Sequence, residues 1–234
     1  MSRVEAVIFD WGGTLTPWHD IDFDAEAMSY AAAYGEPALA ARLLDATGTA
    51  WATSREQHTS ARLEDILAAV GVDVASERHR AGLAAYRDYW APHTHTDPQV
   101  ERLWKGLRDS GIRVGVLSNT IWDRDYHRGL FDRDGVLDLI DGDVYSSEIA
   151  WTKPHAEAFL AAATAVGAEP ADCVYVGDRL FEDVHGPQQV GMRAIWIPHS
   201  VLPEAQVVAT EAQPDAVAQE LLDVLRVVRG WVGD

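Results

Sequence analysis

Val7-Ile8-Phe9-Asp10-Trp11-Gly12-Gly13-Thr14 is the stretch on which the fold turns. A short apolar run ends in an acid, and two glycines then bend the chain. A carboxylate delivered this way stands at the end of a strand, placed to act as a nucleophile. Further along, the pattern recurs. Ser118 closes Val114-Gly115-Val116-Leu117, Lys153 stands before Pro154, and Asp178 and Asp183 follow Cys173-Val174-Tyr175-Val176-Gly177. Strands alternating with helices imply a parallel sheet. Polar groups at the strand ends of such a sheet converge on the crevice where ligands usually bind.

A chain of 234 residues, 47% of them hydrophobic, suits one α/β domain with a sizeable insertion, or two small domains. The formal charge of −18, from 37 acidic and 19 basic residues, argues against a nucleic acid or an anionic membrane as partner. It does not exclude a small anionic substrate, because local cations, a metal ion and helix N–H groups can outweigh the surrounding field. The single Cys173 permits no internal disulfide and reads as a small buried hydrophobe. With no secretory signal and no apolar run of about 18 residues, the expectation is a soluble, cytoplasmic protein.

The first strand is expected over Val4 to Phe9. From residue 17 to 94 the pattern is helical, with Leu63, Ile66, Leu67 and Val70 forming a stripe that Gly71 stops. Asp97 is expected to cap a helix with Pro98 at its first position and Val100, Leu103, Trp104 and Leu107 inward. Further strands are expected over 112–117, 143–146, 173–176 and 193–197. Helices are expected over 154–166 and 215–229, the second on the stripe Val217, Leu221, Leu225, Val228, and a surface loop over 206–214. The fold class is α/β, a doubly wound parallel sheet formed by 1–16 and 95–234, with an all-helical insertion over 17–94.

The order and spacing of Asp10, Ser118, Lys153, Asp178 and Asp183 resembles the haloacid dehalogenase-like hydrolase superfamily. The resemblance implies a Rossmann-like core under a helical cap that selects the substrate. It implies Asp10 as nucleophile, forming an aspartyl phosphate, with Ser118 and Lys153 neutralising phosphoryl oxygens. Asp10, Asp178 and the backbone carbonyl of residue Gly12 would hold Mg2+. Asp183 would be a direct or water-mediated ligand, or the anchor of Lys153. Gly13, Thr14 and Asn119 fall at substrate-binding positions. The implied activity is a magnesium-dependent phosphatase acting on a small phosphorylated metabolite, as a monomer or homodimer.

Gly12 is the departure, since the family's phosphatases usually carry there a second aspartate as general acid and base. Its absence implies slow turnover or a preference for activated phosphates, whose leaving groups need no proton. His19 and Asp20 are candidate replacements. Two rival readings follow from Gly12: a metal-independent 2-haloacid dehalogenase-like hydrolase, and a catalytically weakened ligand-binding or regulatory protein. A phosphonate aldehyde hydrolase needs a cap lysine, and the chain's only lysines are Lys105 and Lys153. Trp18, Trp51 and Trp90 read as core or cap packing rather than a substrate cage, and His58, His79, His93 and His95 have no tight metal spacing beyond the weak His93 and His95 pair.

Overall fold

The structure is a computed structural model and describes residues 3–18, 20–199 and 207–233. Its centre is β1 (Ala6–Phe9), flanked by parallel neighbours on both edges and buried on both faces by the layers packed against the sheet. On one side lie β2 (Arg113–Ser118) and β3 (Gly142–Tyr145); on the other lie β4 (Cys173–Gly177), β5 (Arg193–Trp196) and the short β6 (Ala216–Val217). The order is β3-β2-β1-β4-β5-β6, and every pairing is parallel. The chain winds outward from β1 in one direction and then the other, so β1 marks the topological switch point.

Alternation along the strands loads both faces of this sheet. Val7, Phe9, Val114, Val116, Val174, Val176 and Ile195 face a layer built on α5 (Val100–Asp109) and α9 (Leu221–Gly233). Ala6, Ile8, Leu117, Cys173 and Tyr175 face α7 (Ala156–Val166). Cys173 is fully buried, and that burial pushes its thiol up to about 12, as befits a packing residue. Trp104 fills the first layer, its ring 6.0 Å from Phe9 and 5.9 Å from Phe131.

Between β1 and α5 the chain forms α1 (Phe23–Tyr34), α2 (Leu39–Gln57), α3 (Leu63–Ala69) and α4 (Glu77–Trp90). Asp22 and Ser76 cap α1 and α4 through their side chains. These helices share an apolar cluster of Tyr30, Leu39, Leu43, Leu67 and Tyr86. Ile121, Trp122, Tyr126 and Leu130, from the segment after β2 and from α6 (Arg124–Arg133), belong to the same cluster. The two chain crossings into this insertion run side by side: Asp97 N–H donates to Leu15 O at 2.8 Å, and the Thr16 hydroxyl donates to His95 O at 2.9 Å. Among the described residues no helix is long and apolar enough to cross a membrane.

Several expected boundaries move, each for a local reason. Asp97 does cap a turn, accepting from Gln99 N–H at 2.8 Å, but Pro98 and Gln99 stay in that turn and α5 starts at Val100. Ser118 is the last residue of β2, paired with Tyr145. The helix expected from Pro154 begins at Ala156, after a cis Lys153-Pro154 bond, and His155 caps it. The last helix begins at Leu221, because Asp215 accepts from Ala194 N–H at 2.8 Å and feeds Ala216 and Val217 into the sheet edge. Of the expected loop, 207–214 is irregular and Gln206 lies outside the described residues. Asp183 falls in a π-helical turn over Leu180–His185, which continues into the three-residue α8 (Gly186–Gln188). Trp104→Ala should lower unfolding free energy by about 3–5 kcal/mol, the usual loss for a buried large aromatic, measured by urea denaturation followed by circular dichroism.

Candidate active site

The chemistry-bearing side chains come from the carboxyl ends of β1, β2 and β4 and from the segments that follow β3 and β4. Asp10 follows β1, and its N–H donates to Val176 O of β4 at 2.9 Å. The turn after it is closed by the Trp11 carbonyl, which accepts from the N–H groups of Thr14, Leu15 and Thr16. Gly13 takes a φ of 86° there, a conformation that a side chain would strain. Its own N–H is used inside the turn, donating to Thr16 O at 2.8 Å, and its carbonyl accepts from His199 Nε2–H at 3.0 Å. Gly12 is different: its backbone has an ordinary φ, and a Cβ placed on it meets nothing within 4 Å.

Lys153 comes from the loop after β3, and its ammonium is almost wholly buried. Nζ donates to Asp10 Oδ1 at 2.7 Å, to Asp183 Oδ1 at 2.7 Å and to the Tyr175 hydroxyl at 2.9 Å. Tyr175 passes the chain on by donating to Leu117 O at 2.9 Å. All three ammonium protons therefore have acceptors. Burial alone would lower the Lys153 pKa, but Asp10 and Asp183 outweigh it and hold the pKa well above its ordinary value.

The carboxylates are unequally satisfied. Asp183 Oδ2 accepts from Arg179 N–H at 3.0 Å, so both its oxygens have partners. Its side chain lies against Gly177, where a Cβ would collide with it, which accounts for glycine at the end of β4. Asp178 is 5% exposed, yet neither of its side-chain oxygens has a hydrogen-bond partner. Ligand oxygens of Asp10, Asp178 and Asp183 lie within 4.8 Å of one another, the one such group of three potential metal ligands among the described residues. Three carboxylates thus face one buried ammonium, with the half-buried Arg179 guanidinium also acting on Asp10 and Asp178. Burial, and then the neighbouring Asp10 and Asp183, raise the Asp178 pKa well above the usual carboxylate range. Burial also raises that of Asp10, against the opposing pull of Lys153.

The other expected positions fall at the end of β2 and on the turns after β1 and β2. Ser118 is buried at the end of β2. Thr14 is buried with an unpartnered hydroxyl. The Asn119 side chain clamps the Lys153 backbone, donating to Lys153 O at 3.0 Å and accepting from Lys153 N–H at 2.8 Å. Of the candidate replacement acids, Asp20 is exposed and His19 lies outside the described residues. Sequence reasoning missed Tyr175, whose one signal was a hydroxyl inside an apolar strand. It also missed Trp196, whose Nε1–H donates to Asp178 O at 2.9 Å, and Arg179, whose guanidinium lies 5.6 Å from the Trp18 ring.

A family model described as haloacid dehalogenase-like hydrolase matches residues 4–191, and the chain belongs to that family of hydrolases. The glyceraldehyde 3-phosphate phosphatase of Methanopyrus kandleri is 28% identical over 164 residues, 69% of this chain and 70% of that one. Several other curated relatives are matched over about half their length. A HAD phosphatase from Thermococcus onnurineus superposes with a TM-score of 0.66 at 22% identity, covering 97% of this chain and 99% of that one. A 2-haloacid dehalogenase from Pseudomonas syringae gives the same TM-score at 20% identity, with the same coverage. At such identities the likeness is one of fold and does not choose between the two chemistries.

Behind the nucleophile loop sits His127, fully buried, stacked on Tyr145 at 4.5 Å and edge-on to Trp11 at 4.6 Å. Burial pushes its pKa down to about 3. The unfolded chain takes up a proton near the ordinary value of 6.5 while the folded one does not. This group's contribution is therefore present above pH 6.5 and is lost progressively as pH falls toward 3. At about 1.4 kcal/mol per pH unit, the loss is on the order of 5 kcal/mol by pH 3. His127→Phe should flatten the stability profile between pH 6.5 and 4, measured by urea denaturation at a series of pH values.

Proposed function

We propose that this hydrolase is a magnesium-dependent phosphatase acting on a small phosphorylated metabolite, through an aspartyl phosphate on Asp10. The carrying observation is the buried, unpartnered Asp178 carboxylate, grouped with Asp10 and Asp183 against a single buried ammonium. That excess of buried negative charge fits a hard divalent cation held by oxygen ligands. Asp10, Asp178 and the Gly12 carbonyl would hold magnesium, with Asp183 serving chiefly as the anchor of Lys153. When bound, magnesium supplies charge neutralisation between the carboxylate and an anionic phosphoryl group.

Asp10 attacks phosphorus, and the bond to the leaving oxygen breaks. Lys153 favours the ionised form of Asp10 and orients it, and Ser118 offers its hydroxyl to a phosphoryl oxygen. Water then cleaves the acyl phosphate and restores Asp10. Residue 12 contributes no proton, so aryl and acyl phosphates, whose leaving groups depart unprotonated, ask least of the site. The helical insertion serves as the cap whose lining selects the metabolite. Relatives named as phosphatases support this reading over dehalogenation, as does the pairing of Asp178 with Asp183.

Magnesium should be required for phosphate release from p-nitrophenyl phosphate, and Asp10→Asn should abolish it. Magnesium should also raise the melting temperature of the wild type and leave that of Asp178→Asn unchanged, as read by scanning fluorimetry. Halide release from 2-chloropropionate without metal, and no phosphate from any substrate, would replace this reading with the dehalogenase one.

A further inference from the structure

The insertion touches the core at a point that places a histidine between two catalytic loops. His58 ends α2, its N–H donating to Ser54 O at 2.8 Å. Its carbonyl accepts from Thr152 N–H at 2.9 Å, Thr59 bridges to Trp151, and Ser60 N–H donates to Ala150 O at 3.2 Å. This short antiparallel contact fixes His58 against the residues immediately before Lys153. On its other side the His58 ring lies 6.4 Å from the ring of Phe181, three residues after Asp178. The loops carrying Lys153 and Asp178 both close on Asp10.

Two further features set His58 apart. With φ at 55° it is the one non-glycine residue in the left-handed region among the described residues. Helix ends of this geometry favour glycine or asparagine, so the cap alone gives no reason for an imidazole. Strain held by surrounding structure is a recurrent property of functional sites. The second feature is Nδ1, which is buried without a hydrogen-bond partner. A buried ring nitrogen left unpaired by the protein suits a partner that arrives with the substrate.

We propose that His58 supplies from the cap the proton transfer that Gly12 cannot, an inference that rests on the phosphatase reading. As Asp10 attacks phosphorus and the ester P–O bond breaks, protonated His58 gives its proton to the leaving oxygen, releasing an alcohol. The neutral imidazole then takes a proton from water as the water oxygen attacks phosphorus. The acyl phosphate bond breaks, and the products are inorganic phosphate, the Asp10 carboxylate and protonated His58. His58 thereby opens alkyl phosphates to an enzyme that residue 12 would confine to activated ones.

The test compares kcat/KM for glycerol phosphate and p-nitrophenyl phosphate in the magnesium-loaded protein. His58→Asn suits the left-handed position and should leave the melting temperature unchanged or raised. It should reduce the glycerol phosphate value about 10²-fold more than the p-nitrophenyl phosphate value, a typical loss for a general acid. Adding Gly12→Asp, for which the backbone has room, should restore glycerol phosphate turnover in the His58→Asn background. Equal losses on both substrates, no loss, or failure of Gly12→Asp to rescue would overturn the role of His58 and leave the phosphatase reading standing. A wild type that releases phosphate from neither substrate overturns both.

Discussion

The Lys153 ammonium is the interaction on which the rest of the site hangs. It is buried, and an isolated buried cation would be untenable, so its position is dictated by the three acceptors around it. Those acceptors come from the end of β1, from the middle of β4 and from the turn after β4. One ammonium therefore fixes the relative placement of three chain segments far apart in sequence: its own loop, the end of β1, and β4 with the turn that follows it. The Asn119 amide adds a fourth, holding the lysine backbone from the end of β2. Taking the lysine away would leave buried carboxylates facing each other, which is the expensive way to break such a cluster.

The sheet makes that cluster possible. Because winding reverses at β1, its carboxyl end has parallel neighbours on both sides but no crossover helix above it. The insertion fills the space left open. It does so through an apolar cluster that borrows Ile121, Trp122 and Tyr126 from the core, and through a backbone contact between 58–60 and 150–152. Packing and hydrogen bonding thus bring insertion and core together next to the lysine loop.

Much of this was legible in the sequence. Apolar runs that stop at Asp10, Ser118 and Asp178 mark strand ends whatever the topology, and a doubly wound sheet then requires them to meet. What escaped reading depends on partners distant in sequence. Tyr175 looks like any strand aromatic until Lys153 is placed beside it. Asn119 gives no sign that its amide will clamp a backbone 34 residues away. Val217 kept the spacing of a helical stripe, yet Asp215 ties its segment to the sheet edge, so the periodicity there was accidental. His58 was one histidine among several in a helical region, distinguished only by the backbone angle and by what lies against it.

Gly12 stands in open space on an unstrained backbone, so nothing in the packing requires it to be glycine. Active sites commonly trade stability against activity, because the groups that do chemistry are crowded or strained. At this position the packing imposes no such cost. Under the proposed phosphatase chemistry, reactivity toward different leaving groups would change with a single side chain and no repacking of the fold beneath it, so substrate preference would drift free of the thermodynamic penalty that restrains its neighbours.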